Sequence, residues 1–247
     1  MPVDTEELIT RLRAARAITV LTGAGVSAAS GVPTFRGEDG LWRKYRAEDL
    51  ATPEAFAMDP KLVWEWYDWR RTLIAGCSPN AAHQVLAKWS TRPGFTLITQ
   101  NVDGLHERAG TANVIRFHGS IWELRCAAEC GAAPWEDRSV PLSSLPPACP
   151  SCGGIARPGV VWFGEDIDPD VLERSSAAAA KADVFLSIGT SSLVFPAAGL
   201  LHHAKRSGAF TVEINPGATD VSKTVDLPIA APAEDALTML DSRMRMG

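Results

Sequence analysis

Four of the five cysteines fall between positions 126 and 152, as Cys126-x3-Cys130, eighteen intervening residues, then Cys149-x2-Cys152. Two close pairs joined by a loop can place four thiolates around one ion, and Zn²⁺ accepts that soft tetrahedral set. Four protein ligands leave no open position, so the ion this spacing implies is structural. A catalytic zinc completed by His118 is the competing arrangement, but nothing in the pattern requires a replacement ligand. The odd cysteine count and the clustering argue against a disulfide framework. Cys77 reads as a spare thiol, since no basic or helix-start context would activate it.

A second chemistry-bearing stretch is AITVLTGAGVSAASGVPTFRGEDGLW, residues 17–42. An apolar run meets the turn Gly23-Ala24-Gly25, with Ala28 at the third small position. Strand, glycine turn and helix start can present backbone N–H groups to a pyrophosphate; a tight turn serving only the fold is the alternative. An acidic ribose partner about 20 residues on is not cleanly placed, because Glu38 and Asp39 arrive too soon. Further along, short apolar runs end in polar groups: Gln100-Asn101-Val102-Asp103, then His118, then Gly189-Thr190-Ser191, then Asn215. The carboxyl ends of parallel strands are where α/β folds place ligand groups. An imidazole near neutrality is a suitable proton acceptor, although on residues alone His118 is equally a hydrogen-bonded structural histidine. His83, His106, His202 and His203 read as helix residues without chemistry. Tyr67 and Arg70 stand three apart in LVWEWYDWRR, residues 62–71, and share one helix face. A hydroxyl beside a guanidinium can clamp a carboxylate; a lobe packed by Trp64, Trp66 and Trp69 with solvated arginines is the alternative.

These groups must be positioned by 247 residues, of which 46% are hydrophobic and 21% charged, with a formal charge of -5. That balance suits one large core, or one core and a small satellite. It offers no case for direct nucleic-acid or anionic-membrane binding. No apolar run approaches membrane-spanning length, and the acidic N-terminus lacks the features of a secretion signal, so a cytoplasmic location is expected. Hydrophobic periodicity predicts helices over 4–16, from Ser78-Pro79 through Trp89, and over 169–181, 197–207 and 232–243. Pro53 and Pro60 mark helix starts in an insertion over 43–77. Strand-like runs fall at 17–21, 95–99, 114–117, 159–164, 184–188, 210–214 and 225–229. Strands alternating with helices predict an α/β fold, a doubly wound and mostly parallel sheet. Segments 1–42, 78–119 and 160–247 would form it, with 43–77 as a helical insertion. Residues 120–159 break the rhythm and form the cysteine module, with too little apolar material for a core of its own.

With GAGVSAASGVPTFRG, TQNVDGLHERAG, FHGS, the four cysteines, RPGVVWFGE, GTSS and VEINP in one order, the chain resembles the sirtuin family of NAD-dependent protein deacylases. The resemblance runs from about residue 17 to about residue 230. It implies a Rossmann-like domain with a small zinc module, and a cleft between them that takes NAD and an acylated lysine of a protein or peptide. Gly23, Ala24 and Gly25 would face the diphosphate. Thr34, Phe35, Arg36 and Trp42 would belong to the cofactor loop, with Phe35 over the nicotinamide ribose region. Gln100, Asn101, Val102 and Asp103 would line the ribose and nicotinamide pocket, Asn101 and Asp103 with a catalytic part and His118 as base. Gly189, Thr190, Ser191 and Asn215 would contact the adenosine half, and Ala230 would also belong to the NAD-binding residues. Val161, Trp162 and Phe163 would flank the acyl-lysine channel, their backbone pairing with substrate as an added strand. Ala29 stands where family members commonly carry Glu. Tyr67 and Arg70 are similar to the Tyr-x-x-Arg signature of the subgroup that removes succinyl, malonyl and glutaryl as well as acetyl groups, and the small Ala24 leaves room nearby. NAD would be consumed, giving nicotinamide and 2′-O-acyl-ADP-ribose. The rival readings are a hydride-transferring Rossmann oxidoreductase, a mono-ADP-ribosyltransferase, and a zinc-stapled binding module without activity.

Overall fold

A computed structural model describes residues 5–32 and 47–245 of the chain. Thr34, Phe35, Arg36 and Trp42, together with Glu38 and Asp39, lie outside the described residues. In chain order the elements are α1 (Glu6–Ala14), β1 (Ile18–Thr22), a 3₁₀ segment (Ala24–Ser30), α2 (Ala47–Leu50), α3 (Pro53–Met58), α4 (Pro60–Gly76) and α5 (Ala81–Trp89). Then come β2 (Phe95–Thr99), α6 (Leu105–Arg108), β3 (Ile115–Arg116), β4 (Gly119–Cys126), β5 (Trp135–Glu136) and β6 (Ala156–Val160). The chain closes with α7 (Pro169–Lys181), β7 (Val184–Ile188), α8 (Ala197–Arg206), β8 (Phe210–Ile214), β9 (Leu227–Ile229) and α9 (Ala233–Arg245).

Six strands form one sheet in the order β3-β2-β1-β7-β8-β9, every pairing parallel. Helices cover both faces, so the central strands are apolar on both sides. Val20, Leu97 and Leu186 point toward α1, α5 and α9, packing with Leu12, Leu86 and Leu237. Their neighbours Leu21, Ile98 and Phe185 point the other way, toward Leu200 and Leu201 of α8 and Ala179 of α7. This alternation is the period of two read through a doubly covered sheet. The chain winds outward through β1, β2 and β3 and then returns to the other side of β1 with β7. The switch point therefore lies between the carboxyl ends of β1 and β7.

The second assembly is a three-stranded antiparallel sheet, β5-β4-β6, leaning on α4. Its core is shared, as its sparse apolar content requires. Ile121, Trp122, Leu124 and Ala156 pack against Val63, Trp64, Trp66 and Tyr67. The buried Arg71 of α4 donates to the carbonyl oxygens of Ile121, Asp137 and Ser139, stitching helix to module. Helix starts are locally encoded: Thr52 and Asp59 cap α3 and α4, each followed by proline at the first helical position.

The structure corrects several sequence expectations. The segment after the glycine turn is 3₁₀ rather than an α-helical start, and Gly31 at φ +85° ends it. The helix expected from Ser78-Pro79 begins at Ala81 instead, because the Asn80 carboxamide accepts from the N–H groups of Ala82 and His83. The strand expected over 159–164 ends at Val160. Residues 120–160 hold a small sheet that no strong periodicity announced. Among the described residues no helix is long and apolar enough to cross a membrane.

Candidate active site

A cleft of about 790 Å³ opens at the carboxyl ends of β1, β2, β7 and β8. It is the crevice that a topological switch point creates in an open parallel sheet. Gly23, Ala24 and Gly25 follow β1, Gln100 to Val102 follow β2, Gly189 to Ser191 follow β7 and Asn215 follows β8, and all line it. The glycine turns of β1 and β7 cross at backbone contact. A Cβ on Gly25 would lie 2.7 Å from the Gly189 Cα, and Gly189 itself has φ +60°. These glycines are therefore required where two backbone segments of the chain cross. Thr190 is the node beside them: Gln100 Nε2 donates to its hydroxyl at 3.0 Å and Asn215 Nδ2 to its carbonyl at 3.1 Å.

Asn101 is fixed from behind. Its Nδ2 donates to the Gly23 carbonyl at 3.0 Å and to Ser27 Oγ at 3.2 Å. With both amide hydrogens used, the acceptor Oδ1 is what Asn101 offers the cleft. Ser27 in turn donates to Asp103 Oδ2 at 2.7 Å, and His83 Nε2 lies 3.5 Å from the same Oγ. Asp103 is buried and is not among the cleft-lining residues; it holds Ser27 and the Leu105 N–H. Burial raises its carboxyl, opposed by those two hydrogen bonds. His118 Nδ1 sits 3.2 Å from the Gln100 carbonyl oxygen. A carbonyl only accepts, so Nδ1 carries the hydrogen and Nε2 keeps its lone pair. Burial pulls the imidazole below its ordinary value, partly offset by that bond. His118 is thus neutral at pH 7 and lines the cleft.

Across the cleft stand Tyr67 and Arg70. Tyr67 is 1% exposed, and its hydroxyl accepts from Trp162 Nε1 at 3.0 Å. Burial pushes its pKa up to about 12, so it remains a donor. The Arg70 guanidinium lies 4.8 Å from the Trp66 ring and 5.8 Å from the Tyr67 ring. Burial lowers its pKa, while Tyr67 and Asp103 oppose that. Val161, Trp162 and Phe163 line the cleft, with Phe163 44% exposed and Trp162 buried. Leu193, Val194 and Phe195 add an exposed apolar rim.

The four cysteine sulfurs lie within 4.8 Å of one another. Cys126 and Cys152 are 3.6 Å apart and Cys130 and Cys149 3.8 Å, close to the roughly 3.8 Å edge of a tetrahedron with Zn–S bonds near 2.3 Å. The donor set fits one zinc ion.

The sequence and the fold match known proteins. The Sir2 family model matches residues 23–196. The NAD-dependent protein deacylase of Aquifex aeolicus is 52% identical over 229 residues, 92% of this chain and 95% of that protein. The chain belongs to the Sir2 family. NAD-dependent protein deacylase 1 of Archaeoglobus fulgidus is 46% identical over 97% of this chain and 98% of its own length. A Sir2 homolog solved as its NAD complex superposes with a TM-score of 0.92 at 45% identity, covering 98% of this chain and 94% of that one. A Sir2 protein solved with a deacetylated p53 peptide and 3′-O-acetyl ADP-ribose reaches a TM-score of 0.86 at 29% identity, covering 97% of this chain and 98% of that one.

In this Sir2 chain the fold gathers Gly23–Gly25, Gln100–Val102, His118, Val161–Phe163, Gly189–Ser191, Asn215, Tyr67 and Arg70 around one cleft. Ala230 is exposed beyond β9 and is not among the lining residues. Sequence reasoning passed over Ser27, the supporting role of His83, and the Leu193–Phe195 rim. A serine inside a run of small residues, and a histidine four positions after Pro79, carry no pattern of their own.

Proposed function

We propose that the chain is an NAD-dependent protein-lysine deacylase that removes acetyl groups and also succinyl and malonyl groups, releasing nicotinamide and 2′-O-acyl-ADP-ribose. The observation that carries the reading is one cleft holding a neutral His118 with a free Nε2, an Asn101 offering only Oδ1, and the Tyr67/Arg70 pair. Gly23–Gly25, Gln100, Thr190, Ser191 and Asn215 would hold NAD, which supplies a ribose already carrying a cationic leaving group. Asn101 Oδ1 stabilises positive charge developing at the sugar and orients a hydroxyl group there. His118 Nε2 takes the ribose hydroxyl proton. The Tyr67 hydroxyl and the Arg70 guanidinium receive the carboxylate of a longer acyl group. An extended peptide lies along Phe163 and the Leu193–Phe195 rim, whose exposed apolar side chains suit its burial. Residues 120–159 act as the zinc module, Cys126, Cys130, Cys149 and Cys152 closing its coordination, and residues 43–77 supply the acyl-reading wall.

The relatives named NAD-dependent protein deacylase and the neighbour solved with a deacetylated peptide support this reading. Nicotinamide release from NAD, measured with and without acyl-lysine peptides, tests it. Release that requires an acylated peptide is the expected result, with acetyl, succinyl, malonyl and glutaryl peptides compared in one panel. Release without acylation and with label retained on protein indicates ADP-ribosyl transfer, and NADH formation indicates an oxidoreductase.

A further inference from the structure

The Tyr67 hydroxyl has a direction, set by Trp162 beside it and by the residues that hold Trp162. Indole Nε1–H only donates, so at 3.0 Å from Trp162 the Tyr67 oxygen must be the acceptor. The phenolic hydrogen is then left for another partner. No residue among those described accepts it, and Tyr67 lines the cleft. The aim of that hydrogen thus depends on how firmly the Trp162 ring is held.

Three contacts hold it. The Arg157 guanidinium lies 3.7 Å from the centre of the Trp162 ring, a cation–π contact. The same guanidinium makes a bidentate ion pair with Glu165, at 2.6 and 2.8 Å. Glu165 Oε2 closes the loop by accepting the Trp162 backbone N–H at 2.9 Å. Burial would raise the Glu165 carboxyl, but the bonds from Arg157 and Trp162 outweigh it and hold it low, so the pair is ionised at neutral pH. Phe56 packs the ring from α3, with centroids 5.1 Å apart. Glu165, Trp162 and Tyr67 all line the cleft, whereas Arg157 is not among its lining residues.

We infer that Arg157 and Glu165 are positioning residues for acyl-group selectivity: they lock the Trp162 indole so that its N–H orients the Tyr67 hydroxyl toward an acyl carboxylate. This rests on the carboxylate-reading pocket proposed above. Neither residue needs to touch the acyl group. Both act through one hydrogen, which matters to an acyl group with a carboxylate acceptor at its end and far less to acetyl.

The test measures kcat/KM for acetyl-lysine and succinyl-lysine peptides with wild type, Arg157→Gln, Arg157→Lys, Trp162→Phe, Tyr67→Phe, and the first and third variants each combined with Tyr67→Phe. Arg157→Gln is expected to lower the succinyl-to-acetyl ratio roughly tenfold, mainly through the succinyl KM, the size of one hydrogen bond to a charged group. Arg157→Lys should recover part of that loss, since it keeps the charge but not the fork or the flat stacking surface. Trp162→Phe removes the N–H and keeps a ring, so it should lower the ratio even if Arg157→Gln does not fold. In the Tyr67→Phe background both changes should leave the ratio where Tyr67→Phe put it. Multiplicative losses in the double variants overturn the inference, because Arg157 or Trp162 would then act without the hydroxyl. A ratio lowered by Tyr67→Phe but by neither Arg157→Gln nor Trp162→Phe overturns the inference alone. A ratio unmoved by Tyr67→Phe removes the carboxylate-reading pocket itself.

Discussion

Arg71 offers a quantitative test of how the cysteine module is attached. It is 0% exposed on α4, and its guanidinium reaches Ile121 O at 3.2 Å, Asp137 O at 2.7 Å, Asp137 Oδ1 at 2.9 Å and Ser139 O at 3.0 Å. It also lies 5.2 Å from the Trp122 ring, whose Nε1 donates to the Asp103 carbonyl behind Asn101. Burial lowers the Arg71 pKa from its very high ordinary value, and Asp137 opposes this, so the group stays charged. Arg71→Met keeps the length and the apolar stem but strands three carbonyls and one carboxylate. Removing one partner of a buried ionic cluster costs about 3–5 kcal/mol. For a chain of this size each kcal/mol is worth about 2–4 °C, so a fall in melting temperature of about 10 °C is expected. Arg71→Lys should fall less, retaining the charge without the fork. The measurement is a melt of the zinc-loaded protein followed by circular dichroism, with zinc retention against a chelator read in parallel. A shift under about 2 °C for Arg71→Met would mean that water satisfies those carbonyls and that apolar packing alone attaches the module.

Three other outcomes follow from the same geometry. Because burial lowers the His118 pKa and the base must be neutral, kcat/KM should fall only as pH drops through a value below the ordinary 6.5; an acid limb centred at or above it contradicts the assignment. His83 is buried with its pKa lowered to about 4, so the unfolded chain takes up that proton first as pH falls below 6.5. Stability should therefore decline between pH 6.5 and 4 by roughly 3 kcal/mol from this group, and the slope of melting temperature against pH should shrink in His83→Gln. Cys149→Ser removes one of four thiolates and should lower bound zinc per chain, measured by metal analysis, together with the melting temperature.

Much of the scaffold was legible because its signals are local. Strands at 95–99, 184–188 and 210–214 emerge at those residues, since a strand buried on both faces is a short continuous apolar run. The proline-marked starts of α3 and α4 are likewise written in adjacent residues. The small sheet was not legible because β4, β5 and β6 borrow their apolar partners from α4, as where Trp64 packs with Ala156, 92 positions away. The 3₁₀ geometry after Gly23 was hidden for a similar reason, because the backbone of Gly189 presses on Gly25 there.

The chemical inventory was set by the sequence itself: four thiols at metal-binding spacing, an imidazole and a carboxamide at strand ends, and a tyrosine three positions before an arginine. Residue type and short spacing are properties of the chain, and they survive without a fold. Which atoms those residues present was decided only in three dimensions. The Gln100 carbonyl leaves His118 Nε2 unprotonated, Gly23 and Ser27 leave Asn101 its Oδ1, and Asp103 withdraws behind them as a support. Trp162, ninety-five positions from Tyr67, determines where the phenolic hydrogen points. Hydrogen-bond direction and burial depend on partners brought from distant segments, and only the packed structure supplies those partners.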